Sequence, residues 1–148
     1  MKAVIQRVSQ AQVTVGDECT GRIEHGLLVL FGAQHNDTEE ELVWLVNKIL
    51  NLRIFSDEMG KMNLSVVDVK GDLLVVSQFT LFGDCRKGRR PSFGKAAGPE
   101  RANELYERFC ESVEAQGARC ERGVFAADMK VDLTNDGPVT LILDTRER

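Results

Sequence analysis

The sequence has few of the residues that build metal centres, and it has no long apolar run. Its 148 residues include 4 cysteines and 2 histidines. The cysteines form no C-x-x-C pair, and no cysteine and histidine cluster has the spacing of zinc ligands, so we expect no metal site. Cys19, Cys85, Cys110 and Cys120 are therefore predicted to be free thiols of a reducing compartment.

Apolar residues occur only in short runs. No stretch approaches the roughly 20 apolar residues of a membrane-spanning helix, and the apolar run in the opening MKAVIQRVSQ is too short for a signal peptide. We therefore expect a cytoplasmic protein that does not enter a membrane. The net charge of −4 argues against a general nucleic-acid coat protein but is compatible with a local basic patch.

Neither histidine lies in a motif typical of a nucleophilic hydrolase. His25 and His35 lie in turn-like segments, and the sequence has no G-x-S-x-G motif. A hydroxyl nucleophile needs an adjacent base. An enzyme with this sequence is therefore expected to depend on placed hydrogen-bond donors and on groups of its own substrate.

Length and composition predict a single domain over residues 1–148. Two segments have the pattern of amphipathic helices. In DTEEELVWLVNKIL, Thr38 and Glu41 form a capping box ahead of an apolar stripe. In GPERANELYERFCESVEAQG, Pro99 suits the first helical position and Gly117 suits the end of the helix.

Most of the remaining chain has the composition of β-strands. Six segments rich in Val, Leu and Ile are predicted to be extended: KAVIQRV, AQVTV, GLLVLFGA, DLLVVSQFTLF, MKVDLT and VTLILD. Gly16–Asp17 offers a hairpin turn. Strands that outnumber two widely separated helices predict an α+β fold, a largely antiparallel β-barrel or sheet decorated by two main helices.

Polar residues interrupt one of these apolar segments. In LLVVSQFTL, strand alternation places Gln78 and Thr80 on one face and Ser77 on the other. Buried polar groups need partners. Two readings stay open at this point: a structural pair that bonds neighbouring backbone, or groups that meet a ligand.

A basic segment follows, CRKGRRPSFGKAAGPER, from Cys85 to Arg101. It contains six cations: Arg86, Lys87, Arg89, Arg90, Lys95 and Arg101. A charge run of this kind is either a solvated loop or an arm that contacts phosphates, and the sequence alone leaves the role of this segment open.

The order of residues in NDGPVT, Asn135 to Thr140, is unusual for a turn. Gly137 precedes Pro138, whereas a type II turn has Pro first. One interpretation is a cis-Pro turn. The other is a type I turn that ends at Gly137, with Pro138 opening the next strand.

Several motifs together resemble the D-aminoacyl-tRNA deacylase family. They are QRV (6–8), RIFSDEMGKMN (53–63), SQFTL (77–81), RRPSF (89–93), FAADMKV (125–131) and NDGPVT (135–140). The likeness spans essentially the whole chain, and SQFTL and the Gly-Pro pair are its signatures. Many relatives have Gly after the Phe of FAADMKV, where this chain has Ala126.

The resemblance implies a homodimeric hydrolase with a barrel and decorating helices. Such enzymes cleave the ester that joins a D-amino acid to the 3′-terminal adenosine of a tRNA. They also remove glycine mischarged on tRNA-Ala. No metal or organic cofactor takes part, and the resemblance leaves the preferred tRNA and D-amino acid open.

The resemblance also implies roles for individual residues. Ser77, Gln78, Phe79 and Thr80 are expected at the catalytic site. The other expected site residues bind substrate or shape the site: Phe125 on the terminal adenine, Met129 beside it, a cis Gly137–Pro138 unit that enters the partner's active site, and Arg7, which fixes the Gly-Pro loop.

A mechanism without a side-chain base is expected. The backbone N–H groups of Phe79 and Thr80 are candidate oxyanion donors, and the Gln78 amide and Thr80 hydroxyl are candidate orienting groups. We favour attack by water assisted by the 2′-hydroxyl of the terminal ribose, with a covalent Thr80 intermediate as the alternative. The rival hypothesis is a non-catalytic dimer that binds tRNA or DNA.

Overall fold

Both helices begin where the capping signals predict, and the second helix also ends where Gly117 predicts. The structure, a computed structural model, describes residues 1–148. Helix α1, Glu39–Asn51, starts after Thr38, whose hydroxyl accepts from the Glu41 N–H while the Glu41 carboxylate accepts from the Thr38 N–H. Helix α2, Pro99–Ala115, has Pro at its first position and is followed by Gly117 at φ +86°. Neither helix is long and apolar enough to cross a membrane.

The chain has eight strands, six of which form one sheet. The eight are Lys2–Val15 (β1), Glu18–Ile23 (β2), Gly26–Gly32 (β3), Phe55–Ser56 (β4), Met62–Leu64 (β5), Asp72–Ser77 (β6), Cys120–Arg122 (β7) and Lys130–Asp144 (β8). The sheet order is β2-β1-β3-β6-β7, β8 pairs with β1, and β4 and β5 form a separate pair. β1 is antiparallel to β2, β3 and β8, whereas β6 is parallel to β3 and β7. The predicted α+β fold, a largely antiparallel barrel-like sheet with two main helices, is confirmed.

The two longest strands correct the expected strand boundaries. KAVIQRV and AQVTV belong to one continuous strand, β1, because β8 pairs with it along nearly its whole length. On its other side β1 pairs first with β3 and then, from Ala11, with β2. MKVDLT and VTLILD likewise belong to one strand, β8. The hairpin predicted at Gly16–Asp17 does connect β1 to β2.

The sheet has an apolar core on each face. A cluster of 25 buried residues fills the space between the helices and one face, where the rings of Phe31 and Phe109 lie 4.9 Å apart. A cluster of 7 buried residues, including Leu28 and Val76, lies on the other face. β3 and β6 are thus covered on both sides, which explains their uninterrupted apolar sequences. Because they are parallel, their carboxyl ends meet at one edge of the sheet.

Candidate active site

The SQFTL segment marks the carboxyl end of β6. The Gln78 N–H donates to the Phe31 carbonyl (2.7 Å), and a 3₁₀ turn, Phe79–Phe82, begins directly afterwards. The expectation that DLLVVSQFTLF is one strand is therefore wrong after Ser77. The chain leaves the sheet there because its neighbour β3 ends at Gly32, one residue beyond this last hydrogen bond.

The turn brings together the polar groups of SQFTL. Gln78 Nε2 donates to Thr80 Oγ1 (2.5 Å), so the amide and hydroxyl do lie side by side, although a turn and not strand alternation brings them there. The first N–H groups of the turn, those of Phe79 and Thr80, have no partner within it. Phe79 is 52% exposed. The segment therefore offers unpaired donors beside an exposed aromatic ring.

A cleft of about 620 Å³ opens next to this turn, a size typical of small-ligand sites. It is lined by 15 residues, 11 of them hydrophobic, from the β6 end, the start of α2 and the segment before β8. Ser77, Gln78 and Phe79 form one side, and Phe125 and Met129 form another. An apolar ring bound here would meet aromatic walls, with the polar side chains of Ser77 and Gln78 on one side and of Asp128 on the other.

Aromatic contacts hold the two walls. The Phe79 ring stands edge-on to Phe93 with centroids 5.1 Å apart. Phe125 lies 6.4 Å from Tyr106, whose hydroxyl donates to the Val75 carbonyl inside β6 (2.8 Å). Burial raises the pKa of Tyr106, so this hydroxyl keeps its proton. Sequence reasoning gave Tyr106 no role at the site and missed its contact with Phe125 in the cleft wall.

The segment from Phe125 to Met129 crosses the cleft in an unusual backbone conformation. Ala126 has φ +63°, a region in which L residues other than Gly are strained. A glycine at this position would be free of this strain. The Val124 N–H donates to Met129 Sδ (3.4 Å), which ties the end of the segment back to its beginning.

NDGPVT does not reverse the chain. The Gly137–Pro138 peptide bond is cis. β8 runs through the motif, pairing Asn135 with Val8 and Thr140 with Gln6, so that residues 136–139 form a loop opposite Arg7 alone. The cis bond of the first interpretation is confirmed. The second interpretation, in which Pro138 opens a new strand after a type I turn, is wrong, since the same strand continues on the same partner after the loop.

The side chains of Arg7 in β1 and Asn135 in β8 hold this loop. Arg7 Nε donates to the Asp136 carbonyl (2.9 Å), and Arg7 Nη1 donates to the Ile54 carbonyl (2.6 Å). Asn135 Oδ1 accepts from the Val139 N–H (3.1 Å). Gly137 has φ +130°, and a Cβ there would lie 2.7 Å from Arg7 Nη2, so only glycine fits. The sequence offered no sign of the Ile54 contact.

The predicted site residues fall into two groups in space. One group lines the cleft or its rim: Ser77, Gln78, Phe79, Thr80, Phe125 and Met129. The other group lies outside the cleft of its own chain: Arg7, Gly137 and Pro138. The roles assigned to both groups stay predictions.

The cleft has few ionisable side chains. Asp128 is the one ionisable side chain in its lining; it is 91% exposed and pairs with Lys130 (3.3 Å). The His25 ring packs edge-on against Phe55, and His35 Nε2 lies 3.2 Å from the Gly94 carbonyl. Nowhere do three or more His, Cys, Asp or Glu side chains cluster in a way that could hold a metal ion. The exposed Asp128 carboxylate is therefore the one side chain of the lining with the chemistry of a general base.

Comparisons with known proteins agree on one family. The family model described as D-Tyr-tRNA(Tyr) deacylase matches residues 4–144. D-aminoacyl-tRNA deacylase from Thermosipho melanesiensis is 57% identical over 148 residues, covering 99% of each chain. The protein of the same name from Koribacter versatilis is 60% identical over 147 residues, again covering 99% of each chain.

Two solved structures share the fold. A chain described as c-Myc DNA Unwinding Element Binding Protein superposes with a TM-score of 0.92 at 45% identity, covering 97% of this chain and 98% of its own. A probable eukaryotic D-amino acid tRNA deacylase superposes with a TM-score of 0.82 at 21% identity, covering 96% and 97%, which shows a shared fold. The chain belongs to the D-Tyr-tRNA(Tyr) deacylase family.

Proposed function

We propose that this protein hydrolyses the ester between a D-amino acid and the 3′-terminal adenosine of a tRNA, releasing free tRNA and the amino acid. The observation that carries the proposal is the cleft in which the SQFTL turn faces Phe125, in a chain that belongs to this family. The apolar walls suit the adenine ring, and the donors at the turn suit the ester. The reaction is a chiral proofreading step of translation, and we place it in the cytoplasm.

Catalysis depends on positioned donors and on the substrate. The N–H groups of Phe79 and Thr80 stabilise the negative charge that develops on the ester oxygen, an effect worth about 10²–10³ in rate for one donor. The Gln78 amide and the Thr80 hydroxyl orient the reactants, and water attacks with help from the 2′-hydroxyl of the terminal ribose. A trapped acyl-Thr80 adduct, or full activity on a 2′-deoxy substrate, would instead favour a covalent Thr80 intermediate.

The site is completed by a second copy of the chain. β8 pairs only with β1, so the backbone groups of its other edge are free, and on its face the Ile142 side chain is 74% exposed. Long exposed edges of this kind are commonly covered by another chain. In a two-fold dimer, the Gly137–Pro138 loop of each protomer enters the cleft of its partner, giving two equivalent sites.

The inserted loop provides the chiral selection. Its backbone forms a wall near the Cα of the bound amino acid, where an L side chain collides and a D side chain points to solvent. Glycine has no side chain to reject, so glycyl-tRNA mischarged on tRNA-Ala is also hydrolysed.

Release of tyrosine from D-Tyr-tRNA and L-Tyr-tRNA tests the activity directly. Purified protein, without an added cofactor, is expected to release D-tyrosine rapidly and to leave L-Tyr-tRNA nearly intact, and to cleave Gly-tRNA as well. Equal rates on the D and L substrates would contradict the selection by the Gly-Pro loop. No release from either substrate would contradict the hydrolase assignment.

Mixed dimers test the shared site. Gly137→Ala distorts the loop, and Ala127→Trp fills the cleft, so each variant alone is expected to be nearly inactive. If the loop acts in the partner's cleft, a mixed dimer unites a normal cleft with a normal loop and recovers activity after subunit exchange. A mixture no more active than its components would exclude reciprocal insertion.

A second candidate function is binding of DNA without catalysis. The structural relative described as c-Myc DNA Unwinding Element Binding Protein and the exposed basic segment after Cys85 favour it. Tyrosine release from D-Tyr-tRNA separates the two candidates, because a binding protein leaves the ester intact.

A further inference from the structure

The basic arm, residues 85–95, rises from the edge of the cleft. Asp84, the residue before the arm, and Ser92 exchange two backbone hydrogen bonds (2.7 and 3.0 Å), which close the loop between them. The next residue after Ser92, Phe93, contacts Phe79. Any molecule that leaves the cleft on this side therefore passes close to the arm.

The cations of the arm are mostly unpaired. Arg86 binds Asp84, and this hydrogen bond holds the pKa of the Asp84 carboxyl well below its usual range. Lys87, Arg89, Arg90 and Lys95 are exposed, and none of them forms an ion pair or a side-chain hydrogen bond.

This concentration of charge contrasts with the rest of the surface. The protein has a net charge of −4, and basic side chains elsewhere are commonly neutralised, as Arg122 is by Glu107 and Glu114 and Arg108 is by Glu39. The arm is thus a local positive surface on an acidic protein, placed beside the cleft that has aromatic walls and, at its rim, the unpaired donors of the SQFTL turn.

We propose that the basic arm binds the sugar–phosphate backbone of the nucleotides that precede the terminal adenosine of the tRNA. The inference rests on the proposed function, since the terminal adenosine in the cleft places the adjoining phosphates near the arm. Lysine and arginine bind phosphates through charge-assisted hydrogen bonds. Such contacts position the strand without reading its sequence, so the arm increases affinity for tRNA without selecting among tRNAs.

The proposal predicts a salt dependence that the arm controls. Each phosphate contact on a single strand contributes about −0.7 to the slope of log affinity against log salt. Changing Lys87, Arg89 and Arg90 together to Gln is therefore expected to make this slope shallower by about 2. At low salt, the triple variant should lose about tenfold or more in kcat/KM on D-Tyr-tRNA.

Two substrates separate tRNA binding from the chemistry of the cleft. The second substrate is the 3′-D-tyrosyl ester of adenosine, which has no phosphate. The triple variant should cleave this ester at the wild-type rate while losing kcat/KM on D-Tyr-tRNA. Equal losses on the two substrates would overturn the proposal, because they would mean that the arm shapes the cleft through Phe93.

A matched variant controls for the change in net charge. Arg22, Lys61 and Lys70 are exposed and also lack ion pairs, and they lie outside the cleft lining. Changing these three to Gln is expected to leave the activity on both substrates and the salt slope unchanged. If the two triple variants behave alike on D-Tyr-tRNA, the arm is no binding surface.

Binding of uncharged tRNA tests the arm independently of catalysis. Fluorescence anisotropy with a labelled 3′-terminal tRNA strand should show weaker binding by the arm variant than by the control variant, at every salt concentration below about 200 mM. Competition by polyglutamate as strong as that by unlabelled tRNA would indicate an acidic protein partner and overturn the proposal. If the wild-type protein cleaves neither ester, the proposed function fails, while the binding comparison still decides the role of the arm.

Discussion

The strand end at Ser77–Thr80 and the loop at Gly137–Pro138 belong to the same proposed site, but the molecule holds them in different ways. β6 leads into the strand end with Val75 and Val76 fully buried on opposite faces. The loop interrupts an edge strand with largely exposed side chains, and it is held by Arg7 and Asn135. The core of one chain therefore positions the first region, whereas a few polar contacts position the second.

This difference predicts where single substitutions act most strongly on activity. Changes to buried residues that support the strand end from the core, such as Tyr106, should appear mainly as lost stability. Changes at the loop should lower the free energy of unfolding only slightly, because few contacts hold the loop. They should appear mainly as lost activity and lost selection against L-amino acids.

The largest effect is expected for Gly137→Ala. The new Cβ would lie 2.7 Å from Arg7 Nη2 and 2.9 Å from Val139 Cγ2, at a φ of +130°. A displacement of about 1 Å in a positioned group can reduce the rate by about 10², and we expect a loss of that size in kcat/KM on D-Tyr-tRNA. Gly16→Ala is the control, because Gly16 also has positive φ (+59°) but lies in the β1–β2 hairpin with no atom near its Cβ position. Equal activities of the two variants would refute the assignment of the loop.

Arg7→Lys should have the next largest effect. Lysine keeps the charge but loses the fork that joins the Asp136 and Ile54 carbonyls. We expect kcat/KM to fall by about tenfold, equivalent to about 1.4 kcal/mol, with a smaller ratio of D-Tyr-tRNA to L-Tyr-tRNA cleavage. Arg53→Lys is the control. It replaces an arginine that donates to the Asn63 carbonyl and not to the Gly-Pro loop, so it should preserve the ratio of D-Tyr-tRNA to L-Tyr-tRNA cleavage.

Tyr106→Phe should affect stability more than activity. It removes the hydrogen bond to the Val75 carbonyl, a loss of about 1 kcal/mol in the free energy of unfolding. Val75 O also accepts from the Gly123 N–H (3.2 Å), so β6 should stay in place and activity should change by less than about threefold. Urea unfolding and D-Tyr-tRNA cleavage measure the two effects, and a large loss of activity without a loss of stability would contradict the core-supported strand end.

The same tyrosine predicts a pH dependence. Burial raises its pKa, so the folded protein keeps a proton that the unfolded chain loses above pH of about 10. The wild-type protein should therefore be stable up to that pH and lose stability as the pH rises further. Tyr106→Phe should lose less of its free energy of unfolding between neutral and high pH than the wild-type protein does. Urea unfolding of both proteins at the two pH values measures this difference.

Ala126→Gly is expected to have the smallest effect. Glycine adopts φ +63° without the strain of alanine, but it loses more chain entropy on folding. The net expected change is a gain of about 0.5 kcal/mol in the free energy of unfolding, with activity retained. A clear loss of stability would show that the Ala126 methyl makes a useful contact in the cleft lining.

Local sequence signals predicted the elements that depend on local interactions. Thr38 with Glu41 predicted the start of α1, and Pro99 and Gly117 predicted the start and the end of α2, because caps act within one turn. The same signals divided β1 and β8 incorrectly, since the continuity of each strand comes from pairing with the other. They also extended β6 too far, because its end is set by β3, which is distant in the chain.

For the site, the sequence by itself determined which residue types were available: the amide and hydroxyl of SQFTL, the aromatic of FAADMKV and the Gly-Pro pair. Only the tertiary structure decided that Gln78 meets Thr80 through a turn, that Tyr106 supports the wall formed by Phe125, and that Arg7 joins the Gly-Pro loop to Ile54. It also decided which cations of the basic arm lack partners. A side chain's chemistry is carried by its own residue, whereas its position and pairing depend on residues that pack against it from distant parts of the chain.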